Sequence, residues 1–234
     1  MLLLRLAGPM QSWMSAPQVG AGADREPSKC GVVALLCSAM GASTSDTELV
    51  LRLASLRMGV RVDREGVLSH GFPAGTALGL GAPDAPELGE PLCGPGARNG
   101  DPCCLADASF LVGLEDQSAA LLSRCDAALL RPRMPLYLGR VGLEPGEPVW
   151  IEEALGELSL EDALTLHRWQ PRPRETAPAW GLRFVIETRD QAGELRVDQP
   201  VAAAPGCVGL GPRRVVVFWK HPGQAAGPRD DAAD

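Results

Sequence analysis

The sequence predicts an α+β protein: a ferredoxin-like, RRM-like βαββαβ domain carrying a long insertion, followed by a small β-rich unit. Three observations carry that expectation. Strand-like and helix-like apolar runs alternate over residues 1–140. A stretch of Gly, Pro and Ala with little periodicity interrupts them between 66 and 102. Beyond 140 short Val-, Leu- and Phe-rich runs return, with a glycine-centred turn.

LLLRL (2–6) is a short apolar strand, and the Gly- and Ala-rich stretch 15–26 is a loop. Ser28 is placed to cap a helix running to Met40, which Gly41 ends. Ser45 or Asp46 caps a second short helix, TELVLRLAS. In LRMGVRVD (56–63) Met58, Val60 and Val62 alternate with Arg57, Arg61 and Asp63, the pattern of a half-buried strand. The 66–104 segment is too long for an ordinary connection and reads as a functional excursion. LADASFLVGLE (105–115) is a strand, 117–130 a helix and PRMPLYLGR (132–140) another strand. In the second unit, 141–222, SLEDALTLHRW (159–169) is a capped helix and QPRPRETAPAW a proline-rich loop. LRFVIETRDQAGELRVD has the form of a hairpin turning at Gly193, and RRVVVFW (213–219) is a last strand. The acidic end, 223–234, is expected to be disordered.

Composition narrows the function. Apolar residues make up 45% of the 234 residues and mean hydropathy is +0.00. No apolar run approaches the roughly 18 residues of a membrane span, and the start lacks a signal-peptide core, so a cytoplasmic protein without membrane contact is expected. Seven cysteines (30, 37, 93, 103, 104, 125, 207) form no CxxC, and the three histidines (70, 167, 221) are far apart. No metal site and no cofactor are expected, and vicinal Cys103–Cys104 is read as structural. A net charge of −7 argues against general nucleic-acid stickiness without excluding a local basic patch. Only two of 22 basic residues are lysine, a bias that suits phosphate contacts and that a GC-rich genome also produces.

The helix entered at Ser28 offers unpaired backbone N–H groups and a positive dipole end, flanked by Arg25 and Lys29. GADREPSKC lacks the Gly-Lys-Ser/Thr ending of a nucleotide-triphosphate loop. The alternative is a plain capped core helix. Gln11, Ser12 and Trp13 follow the first strand, where amide, hydroxyl and indole could read and stack bases. Arg57 and Arg61 share one strand face, and Arg64 and Arg140 complete the cationic candidates of the ordered segments.

Several stretches, in order, resemble one family, the CasD or Cas-five subunits of the type I-E CRISPR surveillance complex called Cascade. They are LLLRLAGPMQSW (2–13), REPSKCGVVALLCSAMG (25–41), LRMGVRVDREG (56–66), CLADASFLVGLE (104–115) and PLYLGR (135–140), with RVDQP (196–200) and Arg213-Arg214 further on. The resemblance implies a ferredoxin-like domain whose β-hairpin thumb lies at about 66–104. It implies a subunit that grips the 5′ handle of the CRISPR RNA, caps the filament of CasC backbone subunits, lies near the large subunit CasA and meets target DNA only through the complex. It also implies a binding protein, since CasE cuts the guide in such systems. This chain departs from the family where an Arg-Tyr-Tyr-Leu-like run is replaced by Asp101-Pro102-Cys103-Cys104-Leu105, leaving Arg98 as the nearest basic substitute. Ser69-His70-Gly71-Phe72 and Gly142-Leu143-Glu144-Pro145 are further departures. The acidic Asp84, Glu87, Glu90 and Asp101 of the insertion suit a basic neighbouring subunit. Two other functions compete with this one. The first is a metal-free endoribonuclease, for which three scattered histidines, one tyrosine and two lysines are a poor set. The second is a ferredoxin-like module that binds a small metabolite.

Overall fold

A computed structural model describes residues 1–13, 25–43, 45–69, 104–204 and 206–223. The elements are β1 (Leu2–Ala7), β2 (Met10–Gln11), α1 (Lys29–Met40), α2 (Thr47–Ala54), β3 (Arg57–Arg64), β4 (Val67–Ser69) and β5 (Cys104–Ala106). Then follow β6 (Ser109–Glu115), α3 (Ala119–Leu130), β7 (Trp150–Leu155), α4 (Leu160–Leu166), β8 (Leu182–Thr188), β9 (Glu194–Ala204) and β10 (Cys207–Lys220). It is a mixed α/β protein with antiparallel sheets. Seven strands form one sheet in the order β7-β1-β6-β3-β8-β10-β9, and β2-β5-β4 form a second, small one.

Alternation decides the faces of the large sheet. Met58, Val60 and Val62 join Val33, Leu36 and Leu53 of the first two helices in one core. The opposite face holds a second helix seat. Gly59 and Gly113 sit directly across from each other on β3 and β6. The side chains of Leu160 and Leu164 from α4 fill the space that two Cβ atoms would occupy there. A sheet face that a reader of the strands alone would leave to solvent is therefore covered.

Five local expectations change. Residues 132–140 form no strand, since Pro132 and Pro135 lack ladder N–H donors; the strand beside β1 is β7 instead. The strand expected over 105–115 breaks at Asp107, whose φ of 59° turns the chain from the small sheet into the large one. β8 and β9 do not form a hairpin, because β10 lies between them and pairs with both. The boundary expected near 140 is crossed by strand pairing: β7 joins β1, and β8 joins β3. Ser28 makes no side-chain cap, whereas Asp46 accepts from the Leu49 N–H at 3.1 Å and caps α2. Most of the expected thumb, the Cys103 half of the vicinal pair and the acidic tail lie outside the described residues; the roots β4 and β5 pair with Ser69 opposite Cys104. Burial pushes the thiols of Cys37 up to about 11 and Cys125 up to about 12, so both are core residues rather than nucleophiles.

Candidate nucleic-acid interface

The entrance to α1 is already occupied. The Lys29 N–H donates to Asp198 Oδ2 at 2.8 Å, so a carboxylate of β9 sits where an anion at a helix N-terminus would. Arg213 grips the same carboxylate through Nε at 2.6 Å and Nη2 at 2.8 Å. Asp198 and the Lys29 side chain are each only 2% exposed. Lys29 does not reach outward; its Nζ donates to Glu187 Oε2 at 2.7 Å. Burial lowers the pKa of Lys29, opposed by Glu187, and would lower that of Arg213 too, but Asp198, with Glu187 and Glu26 adding, outweighs it and raises it. Outside this pair, Arg183 forks onto Glu65 and reaches Glu26 at 2.7 Å, while Arg196 bridges Glu26 and Glu194. One Arg183 nitrogen also donates to the Arg25 carbonyl, and Arg25 itself is exposed.

Arg57 and Arg61 bracket α4. Arg57 donates to Glu115 and Glu161, and Glu115 accepts the first amide of α4 from Leu160 at 3.0 Å. Burial would lower the Arg57 pKa; those two carboxylates hold it above its ordinary value. Arg61, fully buried, donates from Nη1 to the Leu164 and His167 carbonyls at 2.6 Å each and grips Asp63 through Nε. A cation at the negative end of a helix is electrostatically favoured, and here it also satisfies terminal carbonyls. The polar face of β3 is the seat of a helix, and both arginines are engaged with it. Arg64 forks onto Glu175 at 3.2 Å and touches Asp107, which also pairs with Arg172.

The expected base-reading trio is internal. Gln11 donates from Nε2 to the Leu6 and Ala108 carbonyls and accepts the Trp13 indole N–H at 2.9 Å. The Trp13 ring, 1% exposed, packs against Gly31 of α1, where a Cβ would be pushed into it, and near Gly139, where a Cβ would meet the Ser12 carbonyl first. Ser12 is buried, and its N–H donates to the Leu138 carbonyl. The rings that do reach solvent are Trp180 and Trp219, which nothing in their local sequence distinguished from packing residues.

Of the expected contacts, Arg25 remains open to solvent and Arg140 half-open, neither in an ion pair with a described residue. Arg98 lies outside the described residues. Among the described residues no group of His, Cys, Asp or Glu is placed to hold a metal, and no helix is long and apolar enough to cross a membrane.

The family model for CRISPR-associated protein (Cas_Cas5) matches residues 1–87. CRISPR system Cascade subunit CasD of Escherichia coli (strain K12) is 30% identical over 164 residues, spanning 64% of this chain and 69% of that one. A solved Cas protein is 34% identical with a TM-score of 0.66 over 92% of each chain. A chain of a solved CRISPR RNA-guided surveillance complex is 26% identical with a TM-score of 0.62, over 98% of this chain and 95% of that one.

Proposed function

The chain belongs to the CRISPR-associated Cas5 family as a divergent relative of CasD, and from that premise we propose that it holds the 5′ handle of the guide RNA and caps the backbone filament of a Cascade complex. The observation that carries this reading is the likeness to CasD, which is matched over two-thirds of its length. The strand order β7-β1-β6-β3, with α1 after the first of its strands in the chain and α3 after the third, supports a ferredoxin-like unit. The pairing of β4 with β5 supports a thumb rooted on a two-stranded stem. In this reading CasC-type subunits meet the thumb, a CasA-type subunit docks nearby, and foreign DNA is reached only through the complex, in the cytoplasm.

The role is one of binding rather than catalysis. Metal-free RNA cleavage needs a base and an acid at one phosphate. The described histidines are His167, whose Nε2 is buried, and His221, just after β10. Co-expression with the other subunits of its own system tests the proposal: the purified assembly should contain this chain and RNA sharing one 5′ end. An assembly that forms without RNA would overturn it. Site-specific cutting of repeat RNA by this chain alone would overturn the non-catalytic part.

A further inference from the structure

Arg57, Arg61, Arg64, Arg183, Arg196 and Arg213 are each held by carboxylates. Arg131, Arg133 and Arg140 have no ion pair with any described residue. Absence of an ion pair does not by itself single out an arginine here, since Arg52, Arg124, Arg168, Arg174, Arg189 and Arg214 also lack one with any described residue. What sets Arg131, Arg133 and Arg140 apart is their clustering in a run, 127–143, that contains no Asp or Glu, in a chain of net charge −7. The acids resume at Glu144, and from there to Asp162 the chain has seven acids and no base.

The fold lays the basic run out in a line. The aliphatic stem of Arg133 lies on Gly41 just past α1, and the Arg133 N–H donates to the Ala39 carbonyl in the last turn of that helix. Six residues later Gly139 lies against Ser12 and Trp13, whose ring touches Gly31 in the first turn of α1. The segment therefore runs as a strap along the whole helix, which at 12 residues is about 18 Å long. Leu138 pins it to the core, while Arg131 and Arg133 are exposed and Arg140 half-exposed. It ends at the helix entrance, three residues before whose Ser28 lies the exposed Arg25.

We infer that this strap is the phosphate track of the protein: Arg131, Arg133 and Arg140 hold phosphates of single-stranded RNA spaced along α1, toward Arg25. The inference rests on the RNA-handle reading and names the residues that carry it. Unpaired arginines release counterions when phosphate binds them, whereas arginines already neutralised by carboxylates must first give up a partner.

The test uses the full-length protein and a fluorescein-labelled RNA matching the repeat of its own CRISPR array, titrated at several salt concentrations. Each of Arg131→Ala, Arg133→Ala and Arg140→Ala should flatten the slope of log affinity against log salt by about 0.7, and the triple variant by about two. Lysine at the same positions should restore the slope, which a purely structural role would not do. A triple variant that binds with the wild-type slope overturns the inference, including the case where it fails only to assemble with protein subunits. Wild-type protein that binds no RNA at any salt overturns the RNA-handle reading first and this inference with it.

Discussion

Replacing Asp198 by Asn removes one charge and almost no volume from an ion cluster that is closed off from solvent. Asp198 accepts from both Arg213 and the first amide of α1 at 2.6–2.8 Å, and both Asp198 and the Lys29 side chain are 2% exposed. Without the carboxylate, Arg213 keeps its charge in a site 8% exposed, beside Lys29, which has only Glu187 as a counter-charge. Removing one partner of a buried pair costs about 3–5 kcal/mol, because an uncompensated charge stays behind. For a chain of this size each kcal/mol shifts Tm by about 2–4 °C, so Tm should fall by about 6–20 °C. Adding Arg213→Met to the same chain should recover much of the loss, since the pair as a whole is weakly stabilising against apolar replacements of similar volume. Thermal unfolding and urea titration of the two single variants and the double variant measure this. A loss below about 1 kcal/mol in the Asn variant would mean that Asp198 is solvated in solution and that the helix entrance is open. The RNA titration of the same variant is a second readout. With the seat closed, its salt slope should match wild type; a steeper slope would show that RNA phosphate takes the vacated place.

Other outcomes follow from the same contacts. Gly113→Ala places a Cβ 2.5 Å from Leu160 Cδ1 and 3.3 Å from Leu164 Cγ, so α4 must shift; urea midpoints should report a loss of about 1–3 kcal/mol at unchanged m. The pKa of His167 is held below its ordinary 6.5 by burial and then by the Arg61 and Arg5 charges, with Asp63 opposing. The unfolded chain therefore takes up a proton near 6.5 that the folded chain resists, and stability falls as pH drops below that value. His167→Leu should flatten this part of the Tm-against-pH curve and leave stability at pH 7 unchanged or higher, since the buried Nε2 has no partner to lose. An unaltered acid slope would place the titration elsewhere.

What the sequence made legible was local. Gly41 adopts a φ of 67° and ends α1 where its position in the run placed it, and the alternation over 56–63 sorted the two faces of β3 correctly. What it could not decide was what each polar face meets. A helix entrance flanked by Arg25 and Lys29 looks the same whether its amides await a phosphate or already hold a carboxylate 169 residues away. The arginines of β3 look the same whether water or α4 lies over them, and α4 comes from about a hundred residues later. Trp13 reads as a stacking ring until Gly31 and Gly139 close on it and bury it. The strap was missed for the opposite reason. Its apolar alternation suggested a strand, and two prolines that prevent one also keep its arginines out of a sheet where carboxylates could reach them.

This sorting of arginines bears on how an acidic protein holds RNA. The net charge of −7 counts carboxylates such as Asp198, Glu187 and Glu161 that are committed to cations inside the fold and present no field to a ligand as isolated charges. What matters to a phosphate is which cations without such partners lie together along one track. If the track is the three on the strap with Arg25 beside them, the salt slope of the isolated chain should be near three in magnitude, since single-stranded contacts contribute about 0.7 each. That is a modest electrostatic hold, and it is lost quickly as salt rises. Firm retention of a guide then requires neighbouring subunits to supply further contacts, so the slope of the assembled complex should be clearly steeper than that of this chain. Equal slopes would mean that the chain alone supplies the phosphate contacts, and that cations now paired in the fold exchange their carboxylates for RNA.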